Sequence, residues 1–133
     1  MRAREHAELL LRKAAQDEFT VAKLIPDPAS PDEVIGFHAQ QAVEKLLKAV
    51  LTLAAVRYRR THDLVELIEL LRANGIRMPE SLEYVRRLSP FAAVFRYGDL
   101  PSEPEEPFER SWAIDRVRRT RVWAESVLRE QAP

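Results

Sequence analysis

The chain contains no cysteine, which excludes a disulfide framework and a thiolate metal site. Its three glycines, Gly36, Gly75 and Gly98, are too few and too scattered for a glycine-rich phosphate loop. There is no Gly-x-Ser-x-Gly turn to expose a nucleophilic serine. The histidines, His6, His38 and His62, lie far apart, and none forms a His-x-x-x-His or Glu-x-x-His pair. No metal and no cofactor are therefore expected. No run is long and apolar enough to span a bilayer. The start, Met-Arg-Ala-Arg-Glu-His, leads into no apolar segment of the kind found in secretory leaders, so a cytoplasmic location without membrane association is expected. No pair of carboxylates falls on an apolar stripe, where burial would drive their proton affinities apart. Convincing strand alternation and hairpin turns are lacking too.

What is present is helix. The 133 residues suit one domain with a single core, spanning 1–133, and 46% of them are hydrophobic. The organising stretch runs from Asp32 to Ala55. On a 3.6-residue period, Ile35, Ala39, Ala42, Val43, Leu46, Ala49, Val50 and Leu53 fall on one arc. Gln40, Gln41, Glu44, Lys45, Lys48 and Thr52 fall on the other and read as the polar side. Phe37 and Leu51 break that polar side. The helix should therefore pack on two faces, the second against another helix of the chain or a second copy of the protein.

A first helix is expected over 3–25, with Ala7, Leu10, Leu11, Ala14, Ala15, Phe19, Ala22 and Leu24 as its apolar stripe and Pro26 as its stop. The connector Pro26-Asp27-Pro28-Ala29-Ser30-Pro31 is short, so the first two helices should run antiparallel. Thr61 is the expected cap of a third helix, which carries Leu64, Val65, Leu67, Ile68, Leu70 and Leu71 and ends at Asn74-Gly75. Pro79 should open a fourth, with Leu82, Val85 and Leu88 inward, interrupted or ended by Pro90. Residues 98–107 hold three prolines and read as an exposed loop. The last helix runs from about Phe108 to Gln131, with Trp112, Ala113, Val117, Trp123, Ala124, Val127 and Leu128 inward. The expected fold is all-α, an up-and-down bundle of four long helices plus one short helix.

Net charge is zero, but its distribution is uneven. Arginine far outnumbers lysine. Arg57, Arg59 and Arg60 form one cluster, and Arg116, Arg118, Arg119 and Arg121 form another, with the acids Asp99, Glu103, Glu105, Glu106 and Glu109 between them. Guanidinium forks recognise phosphate, although such clusters also serve as solvated faces.

Four features are candidates for chemistry. His38 sits at the edge of the apolar arc, either as a ligand or proton donor in an inter-helix groove or as a packed histidine. Arg57 precedes His62 by five residues in Arg57-Tyr58-Arg59-Arg60-Thr61-His62. Such a pair could cleave RNA without metal, the histidine taking the 2′-hydroxyl proton and the arginine holding charge on phosphate. The alternative is that His62 and Asp63 only open the third helix. Arg96-Tyr97 precedes the Gly-Asp turn, where the arginine would meet phosphate, a partner, or Glu105 or Glu106. Arg116 shares an arc with Trp112 and Trp123, so it needs a carboxylate, a cation–π contact or a path to solvent, or else it belongs to a subunit interface.

These residues support a resemblance. The run Phe37-His38-Ala39-Gln40-Gln41-Ala42-Val43-Glu44-Lys45-Leu46-Leu47-Lys48-Ala49 is similar to the helix-two signature of the HEPN family (higher eukaryotes and prokaryotes nucleotide-binding domain). Thr61-His62-Asp63-Leu64 with Leu67 and Leu71 resembles the opening of that family's third helix. Arg96-Tyr97 stands where many members carry Arg-Tyr-Pro, with Gly98 in place of the proline. The resemblance implies a helical bundle that is commonly a homodimer. It further implies a subunit, bound to nucleotide or RNA, of a two-gene toxin–antitoxin module with a minimal nucleotidyltransferase partner. Arg96, Tyr97 and His38 would line the cleft, Arg59 and Arg60 would join Arg57 on a basic rim, and Phe37 and Arg116 would serve the interface. Other members are metal-independent ribonucleases with Arg-x(4–6)-His. Here no histidine follows Arg96 at that distance, which leaves Arg57 and His62 as the pair with the right spacing, or Arg96 with a histidine from the other subunit. A plain dimeric scaffold without catalysis is the remaining alternative.

Overall fold

The structure is a computed structural model that describes residues 2–92 and 108–131. Among the described residues five helices follow in order: α1 (Ala3–Leu24), α2 (Asp32–Leu53), α3 (Leu64–Ala73), the 3₁₀ helix η1 (Glu80–Ala92) and α4 (Arg110–Glu130). There is no strand among the described residues. The all-α bundle is as expected, and the third helix runs from Leu64 to Ala73 and ends at Asn74-Gly75, also as expected. There is one local difference. The fourth is 3₁₀ rather than α, and it runs through Pro90. Its buried residues Leu82, Val85, Leu88 and Phe91 recur every third position, which suits three residues per turn better than 3.6.

Helix ends follow local chemistry. Pro31 caps α2, and Asp32 and Glu33 occupy its first turn, where the helix dipole favours acids. The apolar pattern runs on to Ala55, but α2 stops at Leu53. Ala55 turns left-handed at φ 59°, and the Val56 amide bonds back to the Leu51 carbonyl at 2.9 Å. The same closure ends α3, with Gly75 at φ 71° and Ile76 bonded to Leu71 at 3.0 Å. The cap of α3 is Asp63 rather than Thr61. The Asp63 carboxylate accepts from the Val65 and Glu66 amides, and Thr61 Oγ1 instead accepts from the Asp63 amide at 3.1 Å.

The core is built around α2, which packs against α1, α3, η1 and α4. Its second face is therefore covered by its own chain: Leu51 is buried, as are Gln40 and Glu44 from the presumed polar side. Phe37 is half-buried, edge-on to the His38 ring at 5.4 Å. Gly36 lets η1 close on α2, because a Cβ there would stand 2.4 Å from Phe91 Cδ1.

α1 buries Ala7, Ala14 and Val21, a seven-residue spacing. Ala15 and Phe19, expected inside, lie on the outer side of that heptad, and the Lys23 ammonium sits 5.4 Å from the Phe19 ring. α4 runs antiparallel to α1. At its start Arg110 donates to the carbonyls of Ile25 and Asp27 (both 2.8 Å) and Ser30 (2.6 Å) and pairs with Asp32. Near its end the Leu128 carbonyl accepts from Arg4 at 3.3 Å.

Candidate functional site

Only one stripe of α2 reaches solvent along its length, and it carries His38, Gln41, Lys45, Lys48 and Thr52, all half-buried. α1 flanks the stripe through Asp17, and the segment 54–63 flanks it through Tyr58 and His62. Two carboxylates organise it. Asp17 holds His38 Nδ1 at 3.1 Å and pairs with Lys45. Glu44 holds His62 Nδ1 at 2.8 Å and Lys48 Nζ at 3.0 Å. Each acid thus binds one histidine and one lysine. Glu44, expected on the solvent side of α2, is found buried instead. Asp17 and Glu18 sit beside the Ala14–Val21 seam of α1, and Glu44 lies inside the bundle.

Buried Glu44 is tolerated because its neighbours satisfy it. Gln40 Nε2 donates to Glu44 Oε1 at 3.1 Å and to the His62 carbonyl at 2.9 Å, and Gln41 donates to Gln40 Oε1 at 2.7 Å. Gln40, Glu44 and Lys48 therefore form an i, i+4, i+8 ladder that also holds the following loop. Lys48 lies 5.6 Å from the Tyr58 ring centroid, and the Tyr58 hydroxyl is 3.2 Å from Thr52 Oγ1. This ladder was the signal available in the sequence. Its residue types argued for solvent, whereas their spacing matched an internally satisfied network.

The geometry gives His62 a defined face. A carboxylate only accepts, so the Nδ1 facing Glu44 carries a proton, and Nε2 remains as the second ring nitrogen. Arg57 and Arg60, on the same short segment, are exposed and hold no hydrogen bond or ion pair among the described residues. Arg59 is committed elsewhere, to Glu66 at 2.5 Å. That bond, with a smaller contribution from the Thr61 hydroxyl, holds the Glu66 carboxyl below its ordinary range and raises Arg59. Arg96 and Tyr97 lie outside the described residues, as does the expected loop 98–107. His38 joins the Asp17 centre, on the same stripe as the Glu44 centre but not in it.

Arg116 finds both aromatic partners and a carboxylate, its Nε lying 3.9 Å from Asp115 Oδ2. Its guanidinium carbon lies 5.9 Å from the Tyr84 ring and 5.7 Å from the Trp112 ring, and Nη1 donates to the Ser81 carbonyl at 3.2 Å. Arg121, from the same cluster, bridges Glu18 and Glu125, which raise its proton affinity. No group of acidic or histidine side chains that could hold a metal ion occurs among the described residues. Nor is any of their helices long and apolar enough to cross a membrane.

No curated protein and no solved structure matches the chain. A family model does, over residues 7–127, a span that includes the α2 stripe, both carboxylate centres and the arginine segment. The match is to the HEPN domain, and the chain belongs to that family.

Proposed function

We propose that this HEPN protein binds the phosphate of a nucleotide or RNA segment across the end of the α2 stripe. It does so as the homodimeric subunit of a two-gene toxin–antitoxin module with a minimal nucleotidyltransferase. The observation that carries the ligand class is the pair of uncommitted guanidiniums, Arg57 and Arg60, on the segment that Glu44 fixes through His62. Guanidinium forks suit phosphate oxygens, and a fixed segment loses little freedom on binding. Lys48 and the His62 ring, both held by Glu44, extend the polar edge onto α2. The module and the dimer rest on family membership.

A nucleotide titration followed by melting temperature tests the ligand. ATP should raise the melting temperature of the wild type, and Arg57→Ala with Arg60→Ala should abolish the rise. Co-expression with the neighbouring gene product followed by size exclusion tests the module, and light scattering tests the dimer. No nucleotide response and no co-elution would leave a scaffold.

One observation favours a second reading, metal-independent RNA cleavage. His62 is oriented by a buried carboxylate, the arrangement by which a histidine base is held in one tautomer. Its Nε2 would take the 2′-hydroxyl proton while the 2′-oxygen attacks the adjacent phosphorus. A cyclic phosphate forms as the bond to the 5′-oxygen breaks, and solvent protonates the leaving oxygen. Arg57 would hold the charge on the phosphate. Labelled RNA incubated with chelator decides the matter. Cleavage should disappear in His62→Ala and in Arg57→Ala with the fold intact. No cleavage by the wild type removes this reading and leaves the binding proposal standing.

A further inference from the structure

The side-chain amide of Gln41 has one orientation, fixed by its neighbours. The Glu44 carboxylate and the His62 carbonyl only accept hydrogen bonds. Gln40 Nε2 donates to both, at 3.1 Å and 2.9 Å, and so uses its two hydrogens. Gln40 Oε1 is then the atom left facing Gln41, and it too only accepts. Gln41 meets it with Nε2, at 2.7 Å. One N–H of Gln41 is spent in this way. Its second N–H and its Oε1 make no hydrogen bond among the described residues. Gln41 is half-buried on the stripe of α2 that reaches solvent, and its Oε1 is open to that solvent. A held donor therefore stands beside a held acceptor.

Its place on the stripe gives that edge a use. The segment 54–63 runs back along α2, from Tyr58 beside Thr52 to the His62 carbonyl beside Gln40. Arg57 and Arg60 therefore lie toward the Thr52 end of the stripe, and Gln41 lies toward the other. Between Gln41 and Lys48 the helix rises roughly 10 Å, a span comparable with that from the base edge of a nucleotide to its phosphates. Lys45 and Lys48 only donate, and Asp17 and Glu44 hold them. From this arrangement we infer that Gln41 reads the base of the ligand and that the base is adenine. The inference rests on the nucleotide reading above and names the residue that sets its specificity. An amide pairs bidentately with adenine, whose N6–H donates to Oε1 while a ring nitrogen accepts from Nε2. Adenine offers this pattern on two edges, through N1 and through N7, whereas guanine offers it only through O6 and N1–H. An amide already held in place loses little freedom on binding.

Calorimetry with two probes tests it: ATP, and purine riboside triphosphate, which keeps N1 and N7 but lacks the 6-amino group. Wild-type protein should bind ATP about tenfold more tightly than the analogue. Gln41→Met, which keeps the length of the stem and removes both polar atoms, should bind the two alike. Gln41→Glu replaces the N–H with a second acceptor, and a carboxylate suits the adjacent N1–H and N2–H donors of guanine. Its preference for GTP over ATP should therefore rise about tenfold relative to the wild type. The ratio is the readout, because the added charge weakens both nucleotides. Melting without ligand shows that each variant is folded. A labelled oligo(A) RNA of about 12 nucleotides identifies the source of the base. Gln41-dependent binding tighter than that of ATP assigns the base to a strand, and weaker binding assigns it to a free nucleotide.

Discrimination between ATP and the analogue that survives in Gln41→Met would overturn the inference, and so would an unchanged base preference in Gln41→Glu. If Arg57→Ala with Arg60→Ala abolishes ATP binding while the wild type treats ATP and the analogue alike, the phosphate site stands and the base position fails. If that double variant binds ATP like the wild type while discrimination still depends on Gln41, the arginines are not the phosphate site and Gln41 still reads the base. If the wild type binds neither probe nor oligo(A), both proposals fall together.

Discussion

Asp17 and Glu44 do the same local job in different ways. Each carboxylate holds one histidine Nδ1 and one lysine ammonium. Asp17 reaches across from α1, so its bonds fasten one helix to another. Glu44 holds Lys48 of its own helix and His62 of the loop that follows. The Asp17 side chain is 13% exposed and that of Glu44 is 6%, while His38 is 29% exposed and His62 41%. The more buried acid thus holds the more open histidine. The Asp17 centre reads as a clamp between helices, and the Glu44 centre reads as a mount that presents a ring to solvent.

The sharpest way to break this contrast is to remove each acid in turn. Glu44→Ala should destabilise the protein by about 3–5 kcal/mol, because it strands Lys48 and buried Gln40 without their partner. Asp17→Ala should lose about 2 kcal/mol, since His38 and Lys45 can turn to water. Urea unfolding followed by circular dichroism measures both. If Asp17→Ala proves the costlier, the distinction between clamp and mount is wrong. Amide exchange adds a spatial check: Glu44→Ala should speed exchange over 56–63, whereas Asp17→Ala should speed it along α1.

The two centres also show what a single sequence can and cannot reveal. Helix order was legible because prolines and Asn74-Gly75 punctuate it and because leucines and alanines recur at helical spacing. The family was legible in the run from Phe37 to Ala49. The centres were not legible, because sorting residues by polarity sends Gln40 and Glu44 to solvent. A helix enclosed by its own chain has too little solvent face for that rule, and it buries polar groups that satisfy one another. Asp17 is harder still, since its partners lie 21 and 28 residues away. Phe19 failed for a related reason. α1 packs on a seven-residue seam, and apolar character alone does not say which residues flank it. Arg116 shared a legible arc with Trp112, but its contact with Tyr84 on η1 joins two elements that no local pattern links.

A smaller effect sharpens the account of how His62 is mounted. Asp63 follows it directly and caps α3 through the Val65 and Glu66 amides. Asp63→Ala should lower stability by about 1 kcal/mol. If Glu44 is the mount, the His62 side-chain signals should keep their wild-type shifts in this variant and lose them in Glu44→Ala. Loss in both would make the cap, rather than the acid, responsible for the ring's position.

The smallest expected effect lies on the outer side of the same segment, where Arg59 meets Glu66. The pair is largely exposed on the arginine side, so its contribution to stability is screened by water. Its sign is still defined. The Arg59 hydrogen bond holds the folded Glu66 carboxyl below its unfolded value, so around that range the unfolded chain binds more protons. The stabilisation is complete above the unfolded value and disappears as pH falls through the lower folded one. At neutral pH, therefore, the contribution is fully present, but exposure keeps it small, and removing Arg59 should change the fold's stability little. Carbon chemical shifts of the Glu66 side chain against pH give the direct measurement. Arg59→Gln should move the Glu66 midpoint upward, toward that of an ordinary glutamate. A midpoint that stays where it was would assign the lowering to Thr61, and Arg59 would then be as free for phosphate as Arg57 and Arg60.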